Sequence, residues 1–173
     1  VEAHGETDDQ LFVYLPDGEI LLPGDNLYTA FPNLYTIRGT RPRPTASWVA
    51  SLDAMRARDA EVLVPSHTGA TTGKDAVRHR LTTYRDGIQW VRDSVVRGAN
   101  AGTPLSELVD TVALPAHLAN EPDLAELYGQ IDWSVRAIYT NELGWFDGRA
   151  SQLYPLATSE RAERFVAAFG GEQ

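Results

Sequence analysis

Between Leu11 and Pro65 the apolar residues come in short runs closed by turn formers. Leu11-Phe12-Val13-Tyr14-Leu15 is one such run, stopped by Pro16-Asp17-Gly18, and Glu19-Ile20-Leu21-Leu22-Pro23 follows it, which predicts two strands of a hairpin. Trp48, Leu52 and Met55 recur at helical spacing, so a helix is expected over Trp48 to Arg58, and Glu61-Val62-Leu63-Val64-Pro65 reads as a third, buried strand. Strands alternating with a helix are the rhythm of a layered sheet.

The period changes after Gly73. Val77, Leu81, Tyr84, Ile88 and Val91 to Val95 predict a long helix over Asp75 to Arg97, with Gly98 as its stop. Thr103-Pro104-Leu105-Ser106-Glu107 carries the marks of another start: a Thr cap, a proline at the first helical position and an acid in the first turn. Helices are also expected over Asp123 to Tyr128, Trp133 to Leu143 and Ser159 to Phe169. The expected organisation is an α/β region over residues 1–72 and an all-α region over 73–173, with no repeat or low-complexity tract.

Composition narrows the function classes. The 173 residues suffice for a core, and 43% hydrophobic with 23% charged is an ordinary globular balance. No apolar run reaches the roughly 18 to 20 residues of a transmembrane helix. A formal charge of -9 argues against a nucleic-acid binder, since phosphate backbones need clustered cations. It leaves room for a small anionic substrate beside a local arginine cluster. With no cysteines, a metal would have to be held by His, Asp or Glu, and the compartment is left open. The chain opens on Val1 with no leader pattern, and it is read as continuing something upstream.

Three loops carry candidate chemistry. His4-Gly5-Glu6-Thr7-Asp8-Asp9 precedes the first strand, Gly24-Asp25-Asn26 follows the second, and Ser66-His67-Thr68 follows the third. Each puts a hard or borderline ligand on a loop leaving a strand, the placement a metal site requires. Taken singly, Asp25 is as good a turn residue, His67 a structural histidine and Glu6 a surface carboxylate. Arg38, in Ile37-Arg38-Gly39-Thr40, offers a guanidinium fork suited to a tetrahedral anion, with Arg41 and Arg43 close behind. Asn33 and Tyr28 either face that site or pack. His4, Asp8 and Asp9 are either outer supports of the site or loop residues, while His79 and His117 read as structural.

The order of Gly5-Glu6-Thr7, Gly24-Asp25 and Ser66-His67 resembles the second half of the metallo-β-lactamase fold. A glutamate at the first station is similar to the type III alkylsulfatase branch. Gly24-Asp25-Asn26-Leu27-Tyr28, Phe31-Pro32-Asn33-Leu34-Tyr35-Thr36-Ile37-Arg38-Gly39-Thr40, Trp133 to Ile138 and Leu143 to Gly148 resemble that branch too. The resemblance implies the second half of an αββα sandwich followed by a helical dimerisation domain. It implies two zinc ions, with Glu6 on one, Asp25 bridging and His67 on the other, and a sulfate held by Arg38, Asn33 and Arg43. Arg38 is the catalytic candidate, since it could offset charge as the ester breaks.

The resemblance further implies hydrolysis of primary or secondary alkyl sulfates to alcohol and sulfate, by a homodimer joined through its helical part. The His-x-His-x-Asp-His ligands of the family lie upstream in that fold, and none of the four histidines here has that spacing. The chain is therefore expected to be a C-terminal part, inactive alone. The loop after Arg38 lacks the histidine of some relatives, so the general acid is unassigned. The alternatives are another hydrolase on the same fold and an inactive assembly module.

Overall fold

In the computed structural model, which describes residues 1–171, four short strands form one sheet in sequence order. β1 (Val13–Leu15) and β2 (Ile20–Leu22) pair antiparallel, Val13 opposite Leu22, as the hairpin pattern predicts. The connection is a turn of 3-10 helix over Pro16–Gly18, closed by Glu19 in the left-handed region. β2 then runs through α1 (Thr45–Arg56) into β3 (Val62–Leu63), which pairs parallel to β2. That is the right use of a helix, since parallel neighbours need a long crossover. β4 (Thr71–Thr72), which no hydrophobic pattern signals, pairs antiparallel with β3.

Ahead of the sheet, the chain start doubles back on itself. Ala3 N–H donates to the Gln10 carbonyl and Phe12 N–H to the Val1 carbonyl, each at 2.9 Å. These bonds pinch residues 4–9 into a tight loop that carries Glu6.

The helical part departs from the pattern in several places. α2 (Lys74–Asn100) runs through Gly98 rather than stopping there. A β-carbon at Gly98 would come within 2.3 Å of Leu108 Cδ2, so this glycine serves close packing by α3 (Leu105–Thr111). Pro104, in extended conformation, caps α3 in place of Thr103, with no side-chain bond to the helix. Two short helices were not signalled, α4 (Ala116–Ala119) and α6 (Ala150–Leu153). α5 (Ile131–Ile138) passes into a π-helical turn over Tyr139–Leu143, and α7 is Thr158–Ala168.

The expected helix over Asp123 to Tyr128 is not formed. Only Pro122–Leu124 makes a 3-10 turn, and after an extended Ala125 the chain turns against the loop after β2. Phe31 N–H donates to the Ala125 carbonyl at 2.8 Å, and Gly129 N–H donates to the Phe31 carbonyl at 3.0 Å. A β-carbon on Gly129 would lie 2.0 Å from the Pro32 carbonyl oxygen, so only glycine allows this approach.

A single core runs through both regions. Phe12, Leu21, Leu27, Phe31 and Leu63 from the sheet side meet Trp48, Leu52 and Met55 of α1 and Leu81, Tyr84, Ile88 and Val91 of α2. Arg80 adds a polar link. Its guanidinium makes a two-pronged pair with Asp123 at 2.7 and 2.8 Å and donates to Thr71 and Thr29. Both partners of that pair are largely buried, where fork geometry is worth most. Among the described residues no helix is long and apolar enough to cross a membrane.

Candidate functional site

Glu6, Asp25 and His67 come from three loops and line one cavity of about 390 Å³. Asp25 sits in a 3-10 turn after β2, and His67 follows β3, the parallel neighbour of β2, so adjacent strand ends bring them together. His67 Nε2 lies 3.3 Å from Asp25 Oδ1. Glu6 reaches the cavity from the pinched loop and is mostly buried, whereas His67 is exposed. Burial pushes the Glu6 carboxyl up from the usual range. Arg43 opposes that shift, and the negative Asp25 adds to it.

The opposite wall is aromatic. Tyr28 and Tyr128 meet edge to face with ring centroids 5.4 Å apart, and Tyr128 arrives on the turn after Ala125. Thr68 also lines the cavity, and its buried hydroxyl has no hydrogen-bond partner.

Glu6 also lines a second cavity of about 420 Å³, with Arg38, Arg41 and Arg43 and the carboxylates Asp8 and Asp9 around it. The three arginines differ sharply. Arg38 and Arg41 are exposed, while Arg43 is buried, donating from one nitrogen to the Asn33 carbonyl and from another to Glu6 Oε1. Asn33 is buried as well, and its N–H donates to Tyr28 Oη at 3.2 Å. It is not among the residues lining either cavity, so its observed part is to hold Arg43. His4 pairs with Glu2, and Asp8 lies 3.5 Å from Arg41. His79 contacts Glu121, away from both cavities.

Two carboxylates, an imidazole and an orphaned hydroxyl around one cavity fit a divalent metal in kind. They do not complete a site in number: among the described residues no group of three or more His, Asp or Glu lies close enough to hold an ion. The residue overlooked in the sequence is Asn26, fully buried beside Asp25 and bonded through its side chain to Glu6 N–H. The Gly24-Asp25-Asn26 triplet was visible, but an asparagine after an aspartate in a turn ordinarily reads as a cap.

Known proteins agree with this layout. Residues 1–67 match the metallo-beta-lactamase superfamily and residues 104–173 match alkyl sulfatase dimerisation. A linear primary-alkylsulfatase of Pseudomonas sp. (strain ATCC 19151) is 42% identical over 168 residues, 96% of this chain and 32% of the relative. An (R)-specific secondary-alkylsulfatase of Pseudomonas sp. is 31% identical, over 96% of this chain and 26% of its own. The solved structure of a stereoselective inverting sec-alkylsulfatase from Pseudomonas sp. superposes with a TM-score of 0.92 at 30% identity. That match covers 99% of this chain and 28% of the other. The chain thus spans about a third or less of the length of these relatives. With its two halves matched in order, the chain joins a stretch of the metallo-beta-lactamase superfamily to an alkyl sulfatase dimerisation region.

Proposed function

We propose that this chain is the part of a zinc-dependent alkylsulfatase that supplies one side of the metal site and the sulfate pocket. The observation that carries the reading is that Glu6 belongs to both cavities, one lined by two carboxylates and an imidazole, the other by three arginines together with Asp8 and Asp9. Arg43 pairs with Glu6 and Arg41 with Asp8, so among the described residues Arg38 is the arginine of that cavity with no carboxylate partner, and it is the one that would take an anion beside a cation site. Glu6, Asp25 and His67 would hold the metal, read as zinc, together with further donors that these three do not supply. When bound, such a metal lowers the pKa of water so that hydroxide is available near neutrality.

This chain's own residues divide the remaining work. Arg38, exposed and facing its cavity, receives the sulfate oxygens through its fork and offsets the charge that gathers on the leaving sulfate. Arg43 lines the same cavity while fixing Glu6, and Asn33 holds Arg43 through its carbonyl. Tyr28 and Tyr128 give the ester's carbon chain an aromatic surface beside the metal ligands. Water and the alkyl sulfate become alcohol and inorganic sulfate.

The division after residue 72 leaves all four strands on the catalytic side and α2 to α7 on the other. The partner through that helical side would be a second copy. α7 has no buried residue, and Phe165, Val166 and Phe169 stand exposed on it and at its end.

The test is sulfate release from dodecyl sulfate and from a secondary alkyl sulfate by the whole enzyme, stripped of metal and reloaded with zinc. Zinc-dependent release is expected, with Asp25→Ala and Arg38→Ala each lowering turnover by about 10²- to 10³-fold. A zinc-loaded enzyme that leaves both esters intact would point to a different hydrolase on this fold.

A further inference from the structure

Asn26 is wholly buried, and both polar ends of its side chain reach the segment that carries Glu6. Its side-chain oxygen accepts from Glu6 N–H at 2.9 Å, and its side-chain nitrogen donates to the Ala3 carbonyl at 2.7 Å. Only one orientation of the amide satisfies both bonds, because an oxygen cannot donate and an amide nitrogen cannot accept. The Asn26 carbonyl in turn accepts from Trp48 Nε1 at 3.0 Å, and Ser51 Oγ donates to the His4 carbonyl at 2.8 Å. Helix α1 therefore holds both the turn that carries Asp25 and the loop that carries Glu6. Gly5 completes the joint: a β-carbon there would lie 2.3 Å from Asn26 Oδ1 and 2.9 Å from Trp48 Cδ1.

We propose that Asn26 is a positioning residue for the metal ligands, fixing the Glu6 loop to the Asp25 turn through its side-chain amide. The inference rests on the reading of Glu6 and Asp25 as ligands. A metal site tolerates only small errors in donor position. Glu6 sits on a loop, so its position depends on what anchors that loop. Its side chain is held by Arg43 and its backbone by Asn26, the residue next in sequence to Asp25. No other side chain reaches from the Asp25 turn to the Glu6 backbone among the hydrogen bonds of the described residues.

The experiment uses the whole enzyme as wild type, Asn26→Ala and Gly5→Ala. Leu108→Ala, in the core where α3 packs on Gly98 and lining neither cavity, serves as a variant of lowered stability. Zinc affinity is measured by competition with a chromophoric chelator, the visible spectrum of the cobalt-substituted protein is recorded, and the metal-free forms are melted. Asn26→Ala is expected to bind zinc about 10- to 100-fold more weakly and to shift the cobalt bands. Gly5→Ala, which keeps Asn26 but presses on its oxygen, is expected to do the same, and it serves as the test where Asn26→Ala fails to accumulate. Leu108→Ala should melt earlier with unchanged affinity and spectrum.

A folded Asn26→Ala or Gly5→Ala with zinc affinity within about twofold of wild type and the wild-type cobalt spectrum would overturn the positioning role. So would an equal loss of affinity in Leu108→Ala, because the effect would then follow global stability. A wild-type enzyme that binds no zinc would remove the ligand reading and this inference with it, an outcome distinct from the other two.

Discussion

Tyr28 and Tyr84 meet edge to face at 5.8 Å between ring centroids, beneath the metal-side cavity. Burial is the main reason that the Tyr28 hydroxyl is pushed up from 10.0 to about 12, and Tyr84, wholly enclosed, is raised by the same cause. The native state thus holds these protons more tightly than the unfolded chain. As pH rises from the unfolded value near 10 toward 12, the unfolded state releases protons that the folded state keeps, and stability falls. Tyr28→Phe should flatten part of that alkaline loss, read as melting temperature against pH. An unchanged slope would assign the loss elsewhere. At this scale the sequence exposed donors but not their surroundings. Arg38 and Arg43 look alike in a proline-rich loop, yet one is exposed and the other buried. What separates them is the Asn33 carbonyl and the Glu6 carboxylate, brought in by the fold.

The segment Ala125 to Gly129 joins the helical part to the loop after β2. Its two backbone bonds to Phe31 and the contact of Gly129 with Pro32 set Tyr128 at the cavity wall. Gly129→Ala must push these backbones apart. The expected cost is about 1–3 kcal/mol, a fall in melting temperature of about 2–4 °C for each kcal/mol. Asn33 and Arg43 lie on the displaced loop, so turnover should fall more than stability alone explains. Equal turnover at a temperature where both proteins are folded would show that the joint is only mechanical. The same segment marks a limit of periodicity. Asp123 to Tyr128 has helical spacing, but the Ala125 carbonyl and the Gly129 N–H bond to Phe31, in a loop about a hundred positions away. β1, β2, α1 and α2 were legible because their apolar patterns are local. Thr71–Thr72 was not, since it has no pattern apart from its pairing with Leu63 and Val62.

On the scale of the molecule, one core unites the sheet and the first helices, whereas the last stretch buries little. Tyr154 is 88% and Phe169 84% exposed, and Trp145 and Phe165 are also largely uncovered. Phe165 and Phe169 stack at 6.2 Å, one turn apart, so these two rings form one apolar face. α7 has 11 residues and buries none of them, and a helix of that length is marginal in water without packing. A patch of large apolar residues on an otherwise acidic chain needs a cover, and the match of residues 104–173 to alkyl sulfatase dimerisation makes a second copy the natural one. Phe165→Asp with Phe169→Asp would set two carboxylates on each copy of that face. Sedimentation of the whole enzyme should then move from dimer to monomer, with a loss of helical signal as α7 frays. A variant that sediments as the wild-type dimer would place the interface on other helices and leave this face to another partner.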